Sequence, residues 1–559
     1  MGIERGATLT HCKCQCRTVR SGFAVAAMFV VMMTTETRGQ VLETNARGPE
    51  KGALVICGGG TLPETLRGKV LELAGGEFAR VVVISTASQV ADLADVETYV
   101  AWWRRQKLAE FKILHTRSRD IANSDAFVEP LRRATGVWFL GGNQAWLIDT
   151  YSGTRTEAEM HKLLERGGVI GGTSAGAAVM SKLMIRRGSP TMELGRGFSF
   201  LDGAVIDQHF VRRQRQDRLL KVIEQHPELV GLGIDEGTAL LVQDRKLSVL
   251  GESEVRICFA RTDSREPLVE SIKAGDEADL GLLNRIASAR LQQNSRAIVE
   301  NATPQVLDGT LVIVGGDDVP SVATQRFVAA AGGTDATIAF VSLDGDETKK
   351  ADDQFMDELR KAGVKNIQRL QVNSRKQAND PQILDLLKTV RGIWLSGARP
   401  HKFVDACLGT VAEQLCHDLL RRGGVIGGTA AGGLVQGDVL LKASPMPMKR
   451  MFVDGYDRGF GFLPGVAISQ SSKRGETLAE MTQLKHEHPQ VVGLGIEDST
   501  AMIVHGHEME VVGDNQVSVF DGHSHTERTS PAMLHAGDRY NFKDHVLVIA
   551  KGAKAVGGE

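Results

Sequence analysis

The run Arg166-Gly-Gly-Val-Ile-Gly-Gly-Thr-Ser174-Ala-Gly176 returns as Arg422-Gly-Gly-Val-Ile-Gly-Gly-Thr-Ala430-Ala-Gly432, with a single hydroxyl removed. Self-similarity over such a distance marks a duplicated domain. It also supplies an internal control. Residues kept by both copies are those the fold needs, and residues lost from the second become candidates for chemistry.

At 559 residues the chain exceeds one ordinary core. Length alone would allow three or four domains, and the repeat reduces these to two large ones. Further pairs follow in the same order: Leu54-Val-Ile-Cys-Gly-Gly-Gly60 with Leu311-Val-Ile-Val-Gly-Gly316, Val81-Val-Val-Ile-Ser85 with Ile338-Ala-Phe-Val-Ser342, Gly136-Val-Trp-Phe-Leu140 with Gly392-Ile-Trp-Leu-Ser396, and Val230-Gly-Leu-Gly-Ile234 with Val492-Gly-Leu-Gly-Ile496. Helical stretches such as 95–110 and 356–362 separate the early strands. Short, continuously apolar strands alternating with helices imply parallel strands covered on both faces, so each copy is expected to be an α/β domain with a doubly wound, mainly parallel sheet. The boundaries expected are a leader at 1–47, a first copy at 48–283, a polar, helix-prone connector at 284–303 and a second copy at 304–559.

Lys and Arg number 66 against 68 Asp and Glu, and no block of like charge stands out. No nucleic-acid partner is expected from that balance. In the leader, Lys13, Arg17 and Arg20 precede the apolar run Gly22-Phe-Ala-Val-Ala-Ala-Met-Phe-Val-Val-Met-Met33. This is the layout of a secretory signal peptide, shorter than a comfortable membrane span. It predicts a secreted or periplasmic protein. No clear small-x-small cleavage site follows it, which leaves an uncleaved membrane anchor or a mis-assigned start, hence a cytoplasmic protein, as alternatives. Cys12, Cys14 and Cys16 fall in this leader, while Cys57, Cys258, Cys407 and Cys416 stand singly in apolar surroundings and read as buried free thiols. No metal site and no cofactor are expected.

Gly172-Thr-Ser174-Ala-Gly176 fits the nucleophile elbow G-x-S-x-G. It follows a short apolar strand and precedes the helix-compatible Ala177-Ala-Val-Met-Ser-Lys182. Small neighbours permit the sharp turn that lifts a serine Oγ clear of the backbone. A serine needs a base, and Val205-Ile-Asp-Gln-His209 ends another apolar run; the second copy reads Ala467-Ile-Ser-Gln-Ser471, keeping the lead-in and losing both Asp207 and His209. Gly233-Ile-Asp-Glu236 places an acid beyond a strand, where Glu236 suits the third position of a triad, and the second copy has the shorter Asp498. Alternatively, Glu236 caps a turn.

Arg212, Arg213, Arg215 and Arg218 follow the histidine, and the counterparts of the last three are Gly475, Thr477 and Glu480. Selective loss beside a lost histidine points to an anionic group bound by arginine forks, and so to substrate carboxylates. On a regular helix Arg215 and Arg218 would share a face and Arg213 would point away, so either the helix begins after Arg213 or only part of the cluster reaches substrate. Finally, Leu140-Gly-Gly-Asn143-Gln144 ends a strand, where the Gly142 and Ala175 amides are candidate oxyanion donors and Asn143 or Gln144 a holder of a substrate amide. An ordinary Gly-Asn turn is the alternative.

Gly141-Gly-Asn-Gln144, Gly171-Gly-Thr-Ser-Ala-Gly176, Asp207-Gln-His-Phe210 with Arg213, Arg215 and Arg218, and Gly233-Ile-Asp-Glu236 together resemble the cyanophycinases, serine peptidases of the family that includes aspartyl dipeptidase. The resemblance covers most of 54–250. It implies a flavodoxin-like fold related to class I glutamine amidotransferases, a triad of Ser174, His209 and Glu236, and a pocket of Gln144, Asp207, Gln208, Arg213, Arg215 and Arg218. The implied substrate is cyanophycin, a polyaspartate bearing arginine on each β-carboxyl, cleaved to β-Asp-Arg dipeptides. In that polymer carboxylates face the arginines and guanidinium groups face Asp207. A peptidase of the same family acting on aspartyl or isoaspartyl dipeptides, or on other acidic Asp-containing peptides, is the nearer alternative, and a non-catalytic binding protein the more distant one. Glutamine amidotransfer fits less well, because that chemistry usually places a cysteine at the elbow. The second copy is expected to be inert, and an intramolecular pseudo-dimer is one arrangement open to it.

Overall fold

The computed structural model describes residues 46–550, apart from 94, 189–191, 264, 293–301, 344–347, 445–449, 471–473 and 523–530. The leader, with its export reading and three cysteines, lies outside the described residues.

In the first copy β1 (Ala53–Cys57), β2 (Arg80–Ile84), β3 (Glu110–Leu114), β4 (Gly136–Phe139) and β5 (Val169–Thr173) run parallel in the order β1-β5-β4-β2-β3. Both β1 and β4 are buried at every residue, which is why these strands read as unbroken apolar runs. The helix expected at 95–110 is shorter, Val96–Arg104, and Glu110 already belongs to β3. The repeated glycines have a packing reason. A Cβ on Gly171 would stand 2.6 Å from the Trp138 ring, and one on Gly427 2.3 Å from Trp394, so each copy buries a tryptophan flat against a bare backbone.

The remaining strands are β6 (Ser181–Arg187), β7 (Glu193–Arg196), β8 (Leu201–Gln208), β9 (Val230–Ile234), β10 (Thr238–Gln243), β11 (Lys246–Gly251), β12 (Glu254–Phe259), β13 (Leu268–Lys273) and β14 (Glu277–Asp279). Three of them, β10, β11 and β14, extend the parallel sheet beyond β1 as antiparallel strands. The tight turn from β10 to β11 is taken with Asp244 at a φ of 52°. The others form a second sheet in the order β13-β12-β9-β8-β6-β7, parallel across β6-β8-β9 and antiparallel at both margins. The α/β class and its parallel core are as the sequence implies. What strand-by-strand reading did not separate is this second sheet, since an apolar run does not say which sheet it joins.

The second copy repeats the plan. Its parallel core is β15 (Val306–Gly315), β16 (Thr337–Ser342), β17 (Asn366–Gln371), β18 (Gly392–Ser396) and β19 (Val425–Gly428), ordered β15-β19-β18-β16-β17, and its second sheet includes β20 (Gly437–Val439), β21 (Leu463–Gln470) and β22 (Val492–Ile496). The first part of the stretch expected to be a polar, helix-prone connector is helical. Leu280–Leu291 is a helix with Asn284, Arg285, Ile286, Ala287 and Arg290 buried. Its two arginines are paired with the second copy, Arg285 with Asp405 and Arg290 with Asp454 at 2.8 Å, while Asn284 Nδ2 donates to Leu280 O at 3.0 Å. The Arg285 guanidinium also lies 4.8 Å from the centre of the Tyr456 ring, and Tyr456 donates to Asp405 at 3.0 Å.

Cys57, Cys258, Cys407 and Cys416 are free and buried, as expected, and burial raises each thiol pKa, the first three to about 12.

Candidate active site

Five chain segments converge where strands of the two sheets end. β5 delivers Ser174, β4 delivers Gly141–Asn143, β1 delivers Gly58–Gly60, and the second sheet contributes Asp207–His209 from β8 and Asp235–Glu236 from β9. The His209 amide donates to Gly58 O at 2.7 Å, tying the two sheets together at this point.

Ser174 holds φ 52° and ψ −109°, a conformation that L-residues avoid and that only a tightly packed turn maintains. Its amide donates to Cys57 O at 3.1 Å, and a short helix, Ala175–Ala178, follows at once. That helix is briefer than the sequence suggested, because Ser181 already opens β6. Ser174 Oγ lies 2.9 Å from His209 Nε2, and His209 Nδ1 lies 2.6 Å from Glu236 Oε1. A carboxylate only accepts, so the proton sits on Nδ1 and leaves Nε2 to accept from the serine. Burial holds the His209 pKa below its ordinary value; the hydrogen bond that His209 donates to Glu236 opposes this, and the charges of Arg213 and Arg215 add to it. The imidazole is therefore a neutral base near pH 7.

The glycines after β1 make this arrangement possible. A Cβ on Gly59, whose φ is +108°, would stand 2.3 Å from the His209 ring. The second copy, without the histidine, has two glycines at this turn instead of three. That difference was the available signal for a residue set which sequence reasoning treated only as a turn.

Among the described residues, neither the Gly142 amide nor the Ala175 amide has a protein acceptor, although Ala175 is fully buried. The counterpart of Ala175 in the second copy, Ala431, donates to Gly397 O at 3.0 Å. A buried donor left open beside a serine is suited to an oxyanion.

The other expected residues divide. Asn143 Oδ1 accepts from the Ala145 amide at 3.0 Å, capping the helix Gln144–Tyr151, so this oxygen serves the turn that the sequence left as an alternative. Gln144 Nε2 donates to Ile185 O and Arg186 O at 3.0 and 2.8 Å, which pins β6 and directs that amide away from the role of free substrate donor. Asp207, expected to face a substrate guanidinium, has no exposed surface; its oxygens accept from Arg215 at 3.2 Å and from Arg218 Nε at 2.8 Å. The carboxylate sets the direction of two arginines instead, its buried charge paired with theirs. Gln208 is buried, and its carbonyl accepts from Arg215 at 2.7 Å. The following helix starts at Gln216, so Arg212, Arg213 and Arg215 precede it and Arg218 lies in its first turn; of the two arrangements the sequence allowed, the helix begins after Arg213. Arg213 is exposed and has no side-chain partner among the described residues.

Sequence reasoning missed Asp235. Its Oδ1 accepts from the Val211 and Arg212 amides, each at 3.0 Å, and its Oδ2 from Ser253 Oγ at 2.9 Å. The second copy has Glu497 there, a change of length passed over in favour of its neighbour.

The family model for peptidase family S51 matches this chain twice, at residues 54–250 and 311–512. A cyanophycinase from Synechococcus elongatus is 32% identical over 248 residues, covering 40% of this chain and 76% of that protein. One from Geminocystis herdmanii is 32% identical over 193 residues, covering 33% of this chain and 71% of that protein. The crystal structure of a peptidase from an acI-B1 Actinobacterium aligns at 22% identity with a TM-score of 0.33, covering 42% of this chain and 98% of that one.

Proposed function

This chain belongs to peptidase family S51 and is a serine-type peptidase; on that premise we propose that its first copy hydrolyses cyanophycin to β-Asp-Arg dipeptides from a chain end. The hydrogen-bonded series Ser174, His209, Glu236 is the observation that carries the reading. Ser174 Oγ attacks the scissile carbonyl while His209 Nε2 takes its proton, and Glu236 holds the imidazolium that forms. The carbonyl oxygen, now negative, is met by the Gly142 and Ala175 amides. Collapse expels the amine, which receives the proton from His209, and water then frees the acyl-serine by the same steps in reverse.

Substrate carboxylates are held by Arg213, with Arg215 and Arg218 aimed by Asp207; among the described residues, Arg213 brings the cation with no internal partner. The relatives named as cyanophycinases support the polymer as substrate. The second copy, without serine, histidine or the arginine cluster, serves as an inert partner domain. The leader's layout supports export, which cell fractionation would test.

The deciding experiment supplies purified cyanophycin to the protein and to Ser174→Ala, beside α-aspartyl and isoaspartyl dipeptides. Release of β-Asp-Arg that Ser174→Ala abolishes is the expected result. Ser174-dependent cleavage of the small peptides alone would replace the polymer with dipeptides as substrate.

A further inference from the structure

His209 does not sit on a strand or a helix. It opens an irregular turn, 209–215, in which His209 and Gln214 both adopt left-handed φ values, 52° and 51°. Such a turn costs conformational energy and does not keep its own shape, so something outside it must hold it. Internally, the Arg213 amide donates to His209 O at 3.0 Å and the Arg215 amide to Phe210 O at 2.9 Å. The Gln214 amide donates to Val211 O at 3.0 Å, whereas the Val211 and Arg212 amides find no acceptor within the turn. Both of these amides instead converge on one carboxylate oxygen, Asp235 Oδ1, at 3.0 Å each. Successive backbone amides aimed at one anion form a rigid concave clasp.

We propose that Asp235 is a positioning residue for the reaction, one that fixes the turn carrying the base, Arg213 and Arg215. The assignment rests on the peptidase reading above. Asp235 is only 8% exposed, and Ser253 Oγ, donating at 2.9 Å, fixes the carboxylate's other oxygen so that Oδ1 faces the turn. Asp235 also stands next to Glu236, so one short segment beyond β9 grips the histidine twice, at its ring through Glu236 and at its backbone turn through Asp235. In the second copy, which lacks the serine and the histidine, Asp235 and Ser253 are both exchanged. Glu497 stands where the first copy has Asp235 and accepts from Gln516 Nε2 at 2.8 Å, and Asn515 replaces Ser253.

The test uses the full chain. Asp235→Ala removes the acceptor, and Asp235→Asn keeps an oxygen for the two amides and a group for Ser253. Two quantities are followed: hydrogen exchange at the Val211 and Arg212 amides, and the rate at which a fluorophosphonate modifies Ser174, a reaction that needs His209 in place and no particular peptide. Asp235→Ala is expected to speed exchange at these two amides and slow the modification roughly 10- to 100-fold, in protein that remains folded, while Asp235→Asn restores most of both. Unchanged exchange and unchanged modification in folded Asp235→Ala would overturn the assignment, as would a loss that Asp235→Asn fails to restore. Failure of the peptidase reading is visible separately, as a Ser174 that the probe leaves untouched in the unaltered protein, and it would overturn the catalytic role of Asp235 as well.

Discussion

Ser174 and Ala430 occupy the same strained turn, at φ 52°, ψ −109° and φ 45°, ψ −124°, although only the first carries a hydroxyl. The elbow is therefore a property of the fold, maintained by packing in both copies, and the chemistry was added to or removed from a backbone that stayed put. That separation of frame from reagents organises the predictions.

Restoring the hydroxyl with Ala430→Ser is expected to produce no second active centre. The amide that would stabilise an oxyanion there, Ala431, is bound to Gly397 O at 3.0 Å. Residues Asp207 and His209 have become Ser469 and Ser471. In a Ser174→Ala background the Ala430→Ser protein should show no hydrolysis above that background in a cyanophycin release assay.

The acid limb of kcat/KM should lie below pH 6.5, the ordinary histidine value, because burial lowers the His209 pKa. The sign follows from the role. A base works when neutral, so a lowered pKa keeps it working as the pH falls past the usual point. Arg213→Ala removes a positive neighbour and should move the limb upward, whereas Glu236→Gln should move it downward and reduce the rate by losing the favoured tautomer. A pH–rate series on the three proteins checks both directions.

Asp207→Ala should destabilise the protein by about 3 kcal/mol, since it leaves two guanidinium groups without their counter-charge while each keeps some contact with water. Arg215 and Arg218 are 16% and 12% exposed, and Asp207 is not exposed at all. Unfolding in urea measures the loss. A rise in KM for acidic substrates should accompany it, because the arginines lose the group that aims them.

Much of this was legible in the sequence because duplication separated frame from reagents. Runs such as Leu54-Val-Ile-Cys57 and their matched partners located the parallel core, and the paired losses singled out Ser174, His209 and the arginines. Glu236 stood out by position and by its exchange for Asp498. What stayed hidden depended on direction in space. Nothing in Asp207 told a carboxylate facing substrate from one buried against Arg215 and Arg218, and nothing in Gln144 showed that its amide would meet two carbonyls of β6. The polar character of Arg285 and Arg290 did not show that both are paired with acids more than a hundred residues away. Asp235 was hidden because its exchange for Glu497 looks conservative, and only the folded chain shows its Oδ1 accepting from both the Val211 and Arg212 amides.

The most direct test of the account is the intact mass of the protein after exposure to a fluorophosphonate, with the modified residue located by peptide mapping. One adduct per chain is predicted, on Ser174, absent from Ser174→Ala and strongly slowed in His209→Ala. No adduct on folded protein, or an adduct that persists in Ser174→Ala, would contradict it.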